Sequence, residues 1–359
     1  MINPSLHIDD IPVIDLADGL AKDPAALADT VRHICHDVGL FVVTNHGVAK
    51  DVVDDAFLVG KALFSLPRDQ KLLIDKRLSP HFRGWEAEGA EYTNNQPDIR
   101  EQVDLWSEHP ARNPQVEPAY LRLLGPNQWM PEDVLAEHQK VMTRWFDEAG
   151  KLADELMSLL SVGLGLPAGY FEALFGEERM SLTKLIRYPA TPEGMFGVNA
   201  HHDAGFLTVL AAGETPGLEI QNAADEWVPV PVIPDSFVIN LGEMLQAITG
   251  NYYVATPHRV FTASERFSLG YFHGPSLDTK LSQIDLAPEF TEAVKSSPRH
   301  SSAGFMASAD DTNRGVSDMA GDQKASTYGE QLWNYFHRSY PENMALHYPP
   351  ADTKPKSGD

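Results

Sequence analysis

The sequence predicts a mainly β protein: a double-sheet jelly roll buttressed by N-terminal helices, with one further helix near the C-terminus. Two observations carry this. Between residues 182 and 272, short β-branched and aromatic runs alternate with turns at near-even spacing, which suits an antiparallel sandwich or barrel. Ahead of them, apolar residues recur at helical spacing instead. Helices first and strands later give the layered order, and the chain shows no internal repeat.

Taken in order, residues 11–16 read as a short strand. Asp23-Pro24 supplies a capping side chain followed by proline at the first helical position. Leu27, Val31, Ile34 and Val38 then recur at helical spacing until Gly39 ends the helix. Residues 40–44 form a strand, Asn45-His46-Gly47 a turn, and residues 50–66 a second helix closed by Pro67. Residues 81–102 read as a long loop feeding a strand at 103–106. A long helix is expected from about 131 to 162, with Val141, Trp145, Ala149, Leu152, Leu156 and Leu159 on its apolar face. The strands follow at 182–188, 206–211, 218–221, 227–230, 236–240, 258–262 and 267–272. Residues 296–326 are polar and read as a mobile loop. Helical spacing resumes at 327–340, with Leu332, Trp333, Phe336 and Tyr340 on one face. The whole reads as a single domain over 1–349: a mostly helical part to 170, a jelly-roll core at 180–275, the helix at 327–340, and a disordered tail at 350–359.

Composition narrows the function. The chain has 359 residues, 43% hydrophobic and 22% charged, enough for a large core. Its 28 basic and 51 acidic residues give a net charge of −23, which repels phosphate backbones and argues against a nucleic-acid partner. The one cysteine, Cys35, excludes an intramolecular disulfide and sits in a helical apolar pattern, as a small buried hydrophobe does. No run approaches the roughly 18 apolar residues that span a bilayer, and the first ten residues lack the basic and apolar regions of a signal peptide. A cytoplasmic protein acting on a small molecule is the expectation.

Candidate chemistry begins at Asn199-Ala200-His201-His202-Asp203. In extended chain, residues i and i+2 share a side, so His201 and Asp203 can converge on one point while His202 turns away. Thr256-Pro257-His258 opens a later strand that a jelly roll can lay beside the first. Two imidazoles and a carboxylate on one face of an ion are the facial triad of non-haem Fe(II) oxygenases, which leaves three coordination positions open. A His-x-Asp alone is a weak signal, since 14 histidines produce one readily by chance. Eight positions after His258, Arg266 and Ser268 share a strand face. A guanidinium fork matches a carboxylate and the hydroxyl adds a donor. Arg266 is either buried and in need of an anion or exposed on an edge strand. The apolar run from Leu269 to Phe272 favours the first.

With these residues in order, the chain resembles the isopenicillin N synthase-like family of Fe(II)/2-oxoglutarate-dependent oxygenases. The resemblance rests on Ile11-Pro12-Val13-Ile14-Asp15-Leu16, on the run from Gly39 to Gly47, on Ile186-Arg187-Tyr188-Pro189, on the triad, on Asn251-Tyr252-Tyr253 and on the Arg266/Ser268 pair. It implies a distorted double-stranded β-helix with N-terminal helices, and Fe(II) held by His201, Asp203 and His258. It implies 2-oxoglutarate and O2 as cosubstrates, with succinate and CO2 released as a small organic substrate is oxidised, most simply by hydroxylation. It also places Arg266, assisted by Ser268, on the far carboxylate of 2-oxoglutarate, and Tyr188 beside cosubstrate or substrate. Lys184, two residues before Ile186 on the same strand, either offers a further cation to the oxoacid or faces solvent.

Within the family, Glu91-Tyr92-Thr93 and Arg338-Ser339-Tyr340-Pro341 look similar to parts of the bacterial ethylene-forming enzyme that help bind arginine. Ala204 stands where that enzyme has a tyrosine, so ethylene formation is not carried over, and Glu91, Thr93 and Arg338 become candidate substrate-pocket positions. The alternative for them is a surface salt bridge between loop and helix. Two other functions fit the same residues: an Fe(II) oxidase that uses no 2-oxoglutarate, and a catalytically inactive jelly-roll binding protein.

Overall fold

The structure, a computed structural model, describes residues 11–94, 96–222, 224–296 and 327–349. The expected polar loop beyond Ser296, the expected tail at 350–359 and the first ten residues lie outside the described residues. The strands are β1 (Val13–Asp15), β2 (Leu40–Thr44), β3 (Gly84–Glu86), β4 (Tyr92–Thr93), β5 (Gln96–Pro97), β6 (Glu101–Trp106), β7 (Leu182–Tyr188), β8 (Val198–His201), β9 (Leu207–Ala211), β10 (Leu218–Gln221), β11 (Trp227–Pro229), β12 (Phe237–Leu241), β13 (His258–Val260) and β14 (Arg266–His273). The helices are α1 (Leu16–Lys22), α2 (Pro24–Asp37), α3 (Lys50–Ser65), α4 (Arg68–Lys71), α5 (His138–Gly163), α6 (Tyr170–Phe175), α7 (Glu243–Ile248), α8 (Pro288–Ser296), α9 (Tyr328–Ser339) and α10 (Pro341–His347). Among the described residues no helix is long and apolar enough to cross a membrane.

Two sheets organise the chain. The larger runs β1-β2-β12-β9-β14-β7-β6-β3, and the smaller β11-β10-β13-β8. Within these two sheets, among the described residues, the strand pairings are antiparallel except β1 with β2. The N-terminal half is therefore not merely a helical buttress. It also supplies β1 and β2 at one end of the large sheet and β6 and β3 at the other. The stretch expected as a loop at 81–102 pairs, because Gly84–Glu86 finds a register on β6 that local spacing cannot show.

Helix α5 fixes which face of the large sheet is which. Its buried Met142, Trp145, Ala149, Leu152 and Leu156 follow three- and four-residue spacing. Trp145, fully buried, donates its indole N–H to Thr183 of β7 at 2.8 Å and packs 5.8 Å from Phe237 of β12. Phe146 meets Tyr271 of β14 edge-on at 5.1 Å. Since strand side chains alternate, the neighbours of these residues point to the opposite face: Asn240 on β12, Thr208 on β9, Arg266 and Ser268 on β14, Lys184, Ile186 and Tyr188 on β7. The helix starts at His138, not near 131. The chain turns through 131–137, and Glu137 holds a left-handed φ of 63° that breaks helical continuity just before it.

Helix α2 starts as its sequence dictates, with the Asp23 carboxylate accepting from the backbone N–H groups of Ala25 and Ala26 and Pro24 at the first position. It ends at Gly39, whose φ is +77° and where an added Cβ would lie 2.1 Å from the Val254 carbonyl oxygen. Gly165 has a similar φ of +72° with nothing within 4 Å. A left-handed conformation alone costs an L-residue about 1–2 kcal/mol. Gly39→Ala should therefore lower the thermal unfolding temperature clearly more than Gly165→Ala; equal losses would show that the contact with Val254 relaxes freely.

Candidate active site

The smaller sheet brings the two histidines together. In the β13–β8 pairing His258 stands directly opposite His201, and their ring centroids are 4.2 Å apart. Asp203 lies just past the end of β8. Its turn is anchored to the start of α7, where the Glu243 N–H donates to the Asp203 carbonyl at 2.8 Å. One ligand atom from each of His201, Asp203 and His258 lies within 4.8 Å of the others. His202 turns the other way, with Nδ1 3.4 Å from a Glu243 carboxylate oxygen.

Partners determine which atoms face inward. His201 Nδ1 is 2.8 Å from the Asn199 carbonyl, so Nε2 is left for the centre. His258 Nδ1 lies 3.2 Å from the Thr256 carbonyl, and its Nε2 is 3.6 Å from Asp203 Oδ1. The other carboxylate oxygen, Oδ2, accepts from Thr208 Oγ1 at 2.6 Å and from Asn240 Nδ2 at 2.9 Å. Burial, reinforced by the neighbouring His258, pushes the His201 imidazole down to about 3. Burial opposes ionisation of Asp203, but His258, His201, Thr208 and Asn240 outweigh it and hold the carboxyl below its usual range. A neutral imidazole beside a charged carboxylate, both with their outer atoms already bonded, is a donor set that fits a divalent cation of the Fe(II) type.

The second feature is Arg266. It is 1% exposed and stands opposite Tyr188 in the β14–β7 register, its guanidinium carbon 5.3 Å from the Tyr188 ring centre. Its Nε donates to the Thr215 carbonyl at 3.2 Å, and among the described residues no carboxylate pairs with it. Burial pushes its pKa down, partly offset by Tyr188. Ser268, two residues on and buried, shares its face. A buried guanidinium without a protein anion fits a ligand carboxylate, because an uncompensated buried charge is costly. The residues thus suit 2-oxoglutarate as well as iron.

Lys184 does not face solvent: its ammonium is 3.3 Å from Glu91 and 3.1 Å from Asp104, both buried. Glu91 also takes Arg100 and Gln102 at 2.6 Å each and lies 3.3 Å from the Tyr335 hydroxyl on α9. Burial would raise the Glu91 carboxyl, but Lys184, Arg100 and Lys76 hold it well below its usual range. Glu91 is therefore a buried hub, not half of a surface salt bridge, and it reaches α9 through Tyr335, not Arg338. Thr93 donates to Asp98 at 3.0 Å. Asn94 bonds the Ala200 carbonyl, and the Ile99 N–H donates to the Gly197 carbonyl at 3.0 Å, so the segment carrying Glu91 and Thr93 lies against β8 and its His201. Arg338 has two buried guanidinium nitrogens, Nε and Nη2, without a partner among the described residues.

Sequence reasoning missed Thr208, Asn240 and Arg100. Asn240 left a signal: it is a polar residue in the otherwise apolar, fully buried run Phe237-Val238-Ile239-Asn240-Leu241, and a buried amide requires partners.

Comparison with known proteins places this geometry. Residues 177–275 match the 2OG-Fe(II) oxygenase superfamily, and residues 11–132 match the family described as non-haem dioxygenase in morphine synthesis, N-terminal. The 2-oxoglutarate-dependent dioxygenase frbJ of Dothideomycetidae sp. (strain 11243) is 34% identical over 305 residues, covering 81% of this chain and 80% of that protein. Homoarginine-6-hydroxylase 2-ODD-C23.1 of Arabidopsis thaliana is 28% identical over 298 residues, covering 78% and 89%. The fold is shared with full-length Neurospora crassa T7H in complex with alpha-KG (2-oxoglutarate) and 5-formyluracil, at a TM-score of 0.68 and 22% identity over 90% of this chain and 94% of that one. The chain belongs to the 2OG-Fe(II) oxygenase superfamily. It is a non-haem Fe(II)- and 2-oxoglutarate-dependent dioxygenase, with O2 as cosubstrate.

Proposed function

We propose that the protein hydroxylates a small organic molecule, with His201, Asp203 and His258 holding Fe(II) and Arg266, Ser268 and Tyr188 holding the far end of 2-oxoglutarate. The observation that carries this is the juxtaposition of a two-histidine, one-carboxylate cluster with a buried arginine that no protein carboxylate pairs. When bound, iron supplies oxygen activation coupled to decarboxylation of 2-oxoglutarate to succinate and CO2. The chain's own residues do the rest. Arg266 would take a carboxylate by its planar fork, Tyr188 covers the guanidinium, and His201, Asp203 and His258 would hold the iron. We read the two sheets as a double-stranded β-helix, or jelly roll, within one domain over 1–349. A cytoplasmic setting suits the buried, unpaired Cys35.

Glu91, Thr93 and Arg338 are assigned to the substrate side. For Glu91 and Thr93 the support is their segment's contact with β8; for Arg338 it is the two unpartnered guanidinium nitrogens. Lys184 is assigned to holding Glu91 and Asp104. A hydroxylated product is in keeping with the relative named a homoarginine-6-hydroxylase, and a small-molecule substrate with the neighbour bound to 5-formyluracil.

The test is a screen of small molecules for substrate-dependent succinate release with Fe(II), 2-oxoglutarate and O2. Product formation without succinate would point to an oxidase instead. Once a substrate is in hand, Arg338→Ala should cut coupled turnover while uncoupled 2-oxoglutarate decarboxylation persists. If both stay at wild-type levels and only thermal stability shifts, Arg338 is structural.

A further inference from the structure

Asp203 has two carboxylate oxygens, and a metal could take either or both. The structure commits one of them elsewhere. Thr208 and Asn240 stand directly opposite each other in the β12–β9 register, on the face that carries the site. Both donate to the same oxygen, Oδ2, at 2.6 and 2.9 Å. Oδ1, with neither of these donors on it, is the oxygen that lies toward His258 Nε2, at 3.6 Å. Asn240 Nδ2 is also 3.1 Å from His258 Nδ1, so one amide touches two of the three candidate ligands from behind. All four side chains are buried, and β12 and β9 are central strands of the large sheet, so neither donor can swing away cheaply.

We propose that Thr208 and Asn240 are positioning residues for the iron site. By occupying Asp203 Oδ2 they force the carboxylate to bind through Oδ1 alone and fix its rotation, which keeps the protein's share of the coordination sphere at three atoms. Five-membered chelation by the 2-oxoacid and binding of O2 both need the remaining positions. A carboxylate free to bind through both oxygens would take one of them. This inference rests on the reading of His201, Asp203 and His258 as the iron ligands.

The experiment is anaerobic titration of apoprotein with Fe(II), repeated with Co(II), followed by addition of 2-oxoglutarate while the visible absorption of the Fe(II)–oxoacid chelate is recorded. Thr208→Val keeps the shape and removes the hydroxyl. Asn240→Asp keeps the shape and removes the amide donor. Each is expected to weaken metal binding about 10- to 100-fold, the usual effect of losing a partner of a metal ligand. Each should also diminish the chelate band at saturating metal. Thr208→Ser, which restores the hydroxyl, should recover most of both signals, a rescue that a purely packing role would not produce. Wild-type metal affinity and an unaltered chelate band in Thr208→Val and Asn240→Asp, with apoprotein melting as the check on folding, would overturn the positioning role. The titration of His201→Ala separates this from failure of the parent reading. If that variant also binds Fe(II) like wild type, the triad itself is wrong. If it loses the metal while the Thr208 and Asn240 variants keep it, the triad stands and the positioning role does not.

Discussion

Replacing His201, Asp203 or His258 with alanine is expected to abolish turnover and to remove specific Fe(II) binding, while His202→Ala retains much of both. The expectation follows from strand geometry. His201 and His258 face each other across one antiparallel pair, and Asp203 Oδ1 reaches the same point from the turn beyond β8. A two-ligand remnant holds iron poorly, so the loss should exceed the about 10–100-fold caused by changing a ligand's hydrogen-bond partner. Asp203→Ala should be the most severe for a second reason. It takes from Thr208 and Asn240 the oxygen to which both donate, and a stranded buried donor costs about 1–3 kcal/mol of stability. Thermal unfolding of the three apoproteins should therefore rank Asp203→Ala lowest. His202 lies against Glu243 on α7, away from the cluster. A dead His202→Ala alongside a His201→Ala that binds iron normally would mean the strand register is off by one residue.

Much of this site could be read from spacing, and the reasons are local. The i, i+2 alternation that pairs His201 with Asp203 also pairs Arg266 with Ser268, and both pairs emerge on the site side. The start of α2 was equally legible, from Asp23 with Pro24, whereas the reciprocal capping box that Thr327 and Glu330 form at α9 is seen only in the structure. What could not be read depends on register between distant strands. Lys184 has its strand face written in β7, but its counter-charges come from Asp104, four residues into the paired strand β6, and from Glu91, more than ninety residues away. Thr208 and Asn240 each look like an isolated polar residue until β12 is laid against β9. The start of α5 was misplaced for a different reason. Pro131 reads as a first helical position, yet the segment to Glu137 turns instead, and the left-handed residue there resets the helix. The helices α1, α7 and α10 span only six or seven residues each, too few for apolar periodicity to mark them.

Arg266→Ala is expected to raise the apparent KM for 2-oxoglutarate strongly while leaving Fe(II) binding intact. In the folded protein the guanidinium is buried, bonded through Nε to the Thr215 carbonyl and covered by the Tyr188 ring, with its charge matched by no carboxylate among the described residues. In the reading proposed above, the cosubstrate's far carboxylate would complete it. Truncation removes a charge-assisted contact and strands that carboxylate in a buried setting, which typically costs on the order of 2–5 kcal/mol. At about 1.4 kcal/mol per tenfold, this corresponds to a KM increase of roughly 30-fold to several thousand-fold. Arg266→Lys should recover only part, since an ammonium offers no planar fork and cannot stack under Tyr188 as a guanidinium does. The apoprotein gives an independent readout. An unpaired buried charge destabilises the empty fold, so Arg266→Ala should lose little thermal stability without 2-oxoglutarate and should gain less than wild type when the cosubstrate is added. Ser268→Ala, removing one neutral donor on the same face, should shift KM in the same direction by a smaller factor. If KM for 2-oxoglutarate is unchanged in both arginine variants, the guanidinium serves the primary substrate's own carboxylate, and the cosubstrate must be anchored by other groups on that face.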